Sequence, residues 1–156
     1  MNIQIYINES IPHKTWIFLK RRKLMKNVLL WIWQLPQNLL GLVVLLFNKV
    51  SSGCVEVKYI DNIKYYLVKH VNNCGVSLGN YIFFDSDRPI TKKAIHHEWG
   101  HQKQSLKYGW LYLFIIGLPS AMGNIYFRIA HKDNEWYYSQ WWERTADKLG
   151  GVVRSL

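Results

Sequence analysis

Residues 91–109 read TKKAIHHEWGHQKQSLKYG, and positions 97–101 within them form HExxH: His97, Glu98, Trp99, Gly100, His101. Thr91 is a good N-cap and Gly109 a good C′ residue, so the stretch predicts a helix running to about Tyr108. Residues four apart on a helix stand one turn above each other on one face. Both imidazoles can therefore reach one Zn²⁺, and the Glu98 carboxylate can reach a water on that ion. His96 points about 100° away on the helical wheel, which makes it a supporting or surface residue rather than a ligand. Two histidines do not hold a catalytic zinc; such sites use three protein ligands and keep a fourth position open. A third histidine at position 107 would complete one known arrangement, but Lys107 stands there.

The other ligand comes from further along the chain. Residues 139–151 read SQWWERTADKLGG, an expected helix from Ser139 to Leu149 ended by Gly150 and Gly151. Glu143 and Asp147 are four apart and share a face. Glu143 can ligate the ion, and Asp147 can accept the Nδ1–H of a ligating histidine and so fix its tautomer. The competing reading, an ordinary solvated helix face, loses ground because HExxH precedes it.

HEWGH followed about forty residues later by ERTAD resembles the gluzincin class of zinc metallopeptidases. It is most similar to the membrane-embedded CAAX prenyl-protease and heat-shock-protease family, and the chain's size resembles the minimal gluzincins. Ser139 sits four residues before Glu143, as a serine does in that family; Gln140 stands where the family often has Arg. The resemblance covers residues 91–109 and 136–151. It implies His97, His101 and Glu143 as zinc ligands, Glu98 as general base and Asp147 as the orienting carboxylate. It also implies that the strand before the zinc helix is an edge strand binding an extended peptide substrate. In such a site zinc lowers the pKa of its water towards about 7, and Glu98 takes the proton and passes it to the leaving amine. A further donor would help hold the oxyanion, with His131, Tyr137 and Tyr138 as open candidates.

Working outward, the expected fold is α+β: a helical zincin-like core, a small antiparallel sheet and apolar membrane-associated helices. Period-two spacing around Asp61-Asn62 predicts a β-hairpin over residues 55–69, and VSLGNYIFF (residues 76–84) a third strand. Residues 1–26 read as a basic tail, with Met25 an alternative start. Residues 27–50 read as an apolar, membrane-associated helical segment, and residues 51–156 as the catalytic domain. From Val28 to Val50 the chain could form a helix of roughly 34 Å, enough for a bilayer core of about 30 Å. Gln34, Pro36, Gln37 and Asn38 interrupt it, so a kinked span, a re-entrant hairpin or a core element are all open. A second apolar stretch, residues 110–128, lies between the ligands. It cannot cross a membrane once, because the ligands would then lie on opposite sides. Gly117-Leu118-Pro119-Ser120 is expected to fold it into a hairpin.

Composition limits the alternatives. With 49% apolar residues the 156-residue chain is not disordered, and Cys54 and Cys74 are too few for a disulfide scaffold. The pair is read as reduced thiols. The net charge of +10 suits nucleic acid or an anionic membrane surface, and no nucleic-acid signature accompanies it. Localisation is read as membrane-associated, at a bacterial inner membrane, with a soluble cytoplasmic protein as the alternative. The competing function is a non-catalytic, membrane-associated metal-binding or scaffold protein.

Overall fold

The computed structural model describes residues 13–53, 55–69, 71 and 75–154, with side chains from Arg21 onward. The tail before His13 and the Cys54/Cys74 pair lie outside the described residues. Among those residues the chain is mixed α+β, with six helices and one four-stranded sheet.

The strands are β1 (Glu56–Ile60), β2 (Ile63–Val68), β3 (Val76–Leu78) and β4 (Tyr81–Asp85), ordered β1-β2-β4-β3. Asp61 and Asn62 take φ of 47° and 64°, the left-handed pair that a two-residue hairpin turn needs. Ile60 therefore faces Ile63 across the turn. Two expectations fail here. The sheet is mixed rather than antiparallel, because β2 and β4 pair in parallel. The strand expected over residues 76–84 is two strands: it reverses at Gly79 (φ 61°), and β3 folds back antiparallel onto β4. A glycine read as room for a bulge in fact makes the turn.

Helix α3 (Lys92–Tyr108) covers one face of the sheet, where Ile95 packs against Ile63, Leu67, Ile82 and Phe84. Helix α2 (Leu35–Ser52) covers the other, with Val44 and Leu45 against Tyr66, Val68 and Phe83. Burial on both faces explains why Ile82-Phe83-Phe84 is an unbroken apolar run.

The amides that interrupt the first apolar stretch form a clamp. Helix α1 (His13–Trp33) carries the basic and the first apolar residues on one helix, then bends 88° into α2 at Gln34. Gln37 Nε2 donates to Ser105 Oγ (3.0 Å) and to the Gly109 carbonyl (2.8 Å). Gln34 Oε1 accepts from Ser105 Oγ, and Asn38 joins Trp31 O to Asn80 N. Pro36 sits in the first turn of α2, where its missing N–H is harmless.

The second apolar stretch is not the expected hairpin. The chain reverses earlier, at a tight turn over Gly109–Leu111, and the axis bends by 119°. A π turn over Leu113–Gly117 then leads into α4 (Leu118–Ile129) as a continuous helical run. Pro119 lies in the first turn of α4, so it starts the helix and does not break it. Beyond it are α5 (Asn134–Ser139) and α6 (Trp141–Gly150), so the last helix begins two residues later than expected. Among the described residues, no single helix is long and apolar enough to cross a membrane.

Candidate metal centre

Two small residues set how closely α3 and α6 cross. A Cβ at Gly100 would lie 1.9 Å from the Ala146 carbonyl oxygen, and one at Gly150 would lie 2.1 Å from that of His96. Only glycine lets the backbones approach this far. The crossing brings the side chains of one α6 turn onto the HExxH face.

His97, His101 and Glu143 converge there, all buried, and each offers one ligand atom within 4.8 Å of the others. Glu143 Oε2 lies 3.0 Å from His97 Nε2 and 3.3 Å from His101 Nε2. The other ring nitrogens are occupied. His97 Nδ1 meets Asp147 Oδ1 at 2.7 Å, and His101 Nδ1 meets Gln104 Oε1 at 2.7 Å. Both partners are acceptors, so both Nδ1 atoms carry protons and the Nε2 lone pairs turn inward on one carboxylate oxygen. Lone pairs and a carboxylate repel unless something positive sits among them. A divalent metal ion would serve, and this buried group could hold one.

Glu143 is held from its far side. Its Oε1 accepts from Ser120 Oγ (2.6 Å) and Tyr137 Oη (2.9 Å). That commits one carboxylate oxygen to protein donors and leaves Oε2 for an ion. Gln104 is fixed in turn by donating to Trp142 O and Thr145 Oγ1 on α6. Asp147 receives Arg154 through both Nε (2.6 Å) and Nη2 (3.0 Å).

Protons can stand in for the ion. Burial opposes charge on His97, but its bonds to Asp147 and Glu143 win and raise its pKa to about 9. Burial likewise favours a neutral Glu143, yet the bonds from His101 and His97 hold it far below the usual carboxylate range. Asp147 is lowered too, its bonds from His97 and Arg154 outweighing burial. Because the folded value for His97 exceeds its ordinary 6.5, its stabilising proton is fully present below 6.5 and lost as pH rises through about 9. Thermal unfolding of the metal-free chain should therefore show Tm falling over that interval, and saturating metal should flatten the fall. A metal-free Tm that does not change there contradicts this account.

Glu98 sits beside the cluster, buried, with its carboxyl pushed up by that burial against the pull of His101 and His97. Gly75 makes room for it: a Cβ there would stand 2.6 Å from Glu98 Oε1. His97, Glu98 and His101 line a cleft of about 700 Å³, together with Val76, Ser77 and Leu78 of β3 and residues of the π turn and α4. The outer edge of β3 is unpaired in the sheet.

The proposed oxyanion donors separate. Tyr137 is committed to Glu143. Tyr138 lines the cleft, its ring edge-on to His97 and under the Arg154 guanidinium at 3.3 Å. His131 is exposed at the end of α4 and is not brought to the cleft. His96 faces away, bonded to Asp61 and the Gly150 carbonyl. Ser139 is exposed and caps the Trp136 carbonyl. Sequence reasoning missed Gln104, Ser120, Arg154 and the cleft-lining Tyr112. Ser120 and Tyr112 hide in an apolar stretch, and a lone Gln or Arg carries no spacing signal.

No protein-family model, curated protein or solved structure matches this chain.

Proposed function

We propose that this chain is a zinc-dependent metallopeptidase of the gluzincin kind, hydrolysing peptide bonds. The observation that carries the reading is the convergence of His97 Nε2, His101 Nε2 and Glu143 Oε2 beside a buried Glu98 on the floor of an open cleft. Four ligands at zinc distances of 2.0–2.1 Å have tetrahedral edges of about 3.3–3.4 Å. The separations of 3.0 and 3.3 Å are close to that. The described residues supply three ligands, and the cleft leaves a side open, as a catalytic site requires. Bound zinc would acidify a water and polarise the scissile carbonyl.

The chain's own residues do the rest. Glu98 takes up a proton on its carboxylate and delivers it to the departing amine, a role that suits a carboxyl whose proton affinity is raised by burial. Asp147 and Gln104 hold the two histidines in one tautomer throughout. The free edge of β3 offers backbone groups to an extended peptide lying along the cleft. Tyr138, which lines the cleft with its ring against His97, is the donor assigned to the developing oxyanion in this reading.

The test is hydrolysis of an unstructured protein such as casein by the zinc-loaded chain. Glu98→Gln should retain about one zinc per chain and lose roughly 10²–10⁴-fold in rate, the worth of a positioned general base. Activity surviving that change would remove Glu98 as the base. A zinc-loaded wild type with no hydrolysis would favour the scaffold reading.

The tyrosines should divide by role. Tyr138→Phe should lower kcat by about 10²-fold or more at unchanged zinc affinity. Tyr137→Phe should instead weaken zinc about 10-fold, because it removes one of the two donors that hold Glu143 Oε1. Chelator competition run beside steady-state kinetics separates them, and the reverse pattern would exchange their roles.

A further inference from the structure

Helix α2 is built inside out. Its buried residues are Gln37, Asn38, Gly41 and Asn48. Leu39, Leu40, Val43, Leu46 and Val50 are exposed, Val43 at 62% and Val50 at 87%. A helix packed in water shows the opposite polarity, because apolar area is what folding removes from water. Beyond the 119° bend, Phe114, Leu118, Met122 and Tyr126 are exposed at four-residue spacing, Phe114 at 72%, and Trp110 is exposed just before the bend. Helix α1 adds Leu29, Ile32 and Trp33.

The stripes of α1 and α2 meet at the 88° bend, and the third begins beside them at Trp110. Trp33 Nε1 donates to the Leu106 carbonyl, and Trp110 Nε1 to that of Ile32, so the ends of α1 and α3 are pinned together beside the amide clamp. Exposed apolar side chains thus gather on the helices around this junction rather than occurring singly.

Charge identifies what covers it. Arg21, Arg22, Lys23 and Lys26, all exposed, occupy the turns of α1 just before its apolar stripe, and Lys49 lies at the far end of α2. Cations beside apolar and Trp side chains match the headgroups and acyl region of an anionic bilayer. Among the described residues no single helix has the length and apolarity of a span. The 18 residues of α2 reach about 27 Å, against a hydrocarbon core of about 30 Å, and both helix pairs are sharply bent.

We propose that the exposed faces of α1, α2 and α4 seat in one leaflet of an anionic bilayer, with the basic turns of α1 on its headgroups. The three amides lie on the inner side of the clamp, bonded within the protein, so lipid meets only the apolar faces. This stands apart from the metal site and holds with or without hydrolysis.

The full chain would be floated with vesicles of phosphatidylglycerol mixed with phosphatidylcholine, and with phosphatidylcholine alone. It should bind the anionic vesicles at least about tenfold more tightly, and its Trp fluorescence should be quenched by brominated acyl chains. The triple variant Leu29→Glu, Phe114→Glu, Leu118→Glu should lose tenfold or more in partition. Replacing Arg21, Arg22, Lys23 and Lys26 by Gln alters only exposed side chains, and should abolish the preference for phosphatidylglycerol. Equal binding to both vesicle types, no quenching, or no flotation overturns the proposal. A stable dimer that does not float and that Phe114→Glu dissociates would show a second copy on this face, and would overturn it too.

Discussion

Glu143→Ala should strip the metal from the chain. Wild type is expected to carry about one zinc per chain after purification, and the variant less than a tenth of that. The size follows from what Glu143 does. Loss of an outer partner of a ligand typically costs 10–100-fold in affinity, and loss of a ligand itself costs more. The variant also leaves Ser120 Oγ and Tyr137 Oη without their shared acceptor, and two histidines without their counter-charge. An unsatisfied buried polar group costs about 1–3 kcal/mol. The metal-free variant should therefore also melt earlier than the metal-free wild type. Glu143→Gln separates the two effects: it keeps an oxygen for Ser120 and Tyr137 while removing the charge. It should recover much of the Tm and little of the zinc. Unchanged metal content in Glu143→Ala, measured by atomic emission, would end the three-ligand reading and the hydrolase reading with it.

Gly100→Ala should damage both fold and site, although alanine is the better helix former by about 1 kcal/mol. The new Cβ would lie 1.9 Å from the Ala146 carbonyl oxygen, and ordinary contact begins near 3.4 Å. The obstacle is backbone, so no rotamer relieves it. Helices α3 and α6 would have to part by about 1.5 Å, whereas metal ligands must sit within about 0.2 Å of their ideal distances. Overpacking of this kind costs about 1–3 kcal/mol or more, which outweighs the propensity gain. We expect a clear fall in Tm and a zinc affinity at least about 100-fold weaker. Gly150→Ala, which meets the His96 carbonyl at 2.1 Å on the same seam, should behave alike. Wild-type Tm and metal binding in both would show that the seam between α3 and α6 accommodates a Cβ, and would overturn this account.

Much of this site could be read from the chain, for a physical reason. His97, His101, Glu143 and Asp147 are paired at four-residue spacing on helices with recognisable caps, and helical geometry then fixes which side chains share a face. The positions of Thr91 and Gly109 set one of those helices, and the Asp61-Asn62 turn set the first hairpin. Where the reading failed, the deciding contact was distant. Gly79 is compatible with a bulge or a reversal, and the Asn38 side chain on a helix forty residues away, bonded to Asn80, belongs to the reversal. Pro119 suggests a break until its place in the first turn of α4 is seen.

The chain alone marks which residues could bind an ion, which carboxyl lies beside them, and that an interrupted apolar stretch precedes them. Local spacing and side-chain type are enough for that. The packed fold alone reveals that α3 and α6 cross at Gly100 and Gly150, and so bring Glu143 Oε2 to both Nε2 atoms. Only it showed Ser120 and Tyr137 steering that carboxylate, Gln104 orienting His101, and amides buried while leucines face out. Each of these depends on which surfaces meet when the chain closes, and one-dimensional spacing holds no record of that.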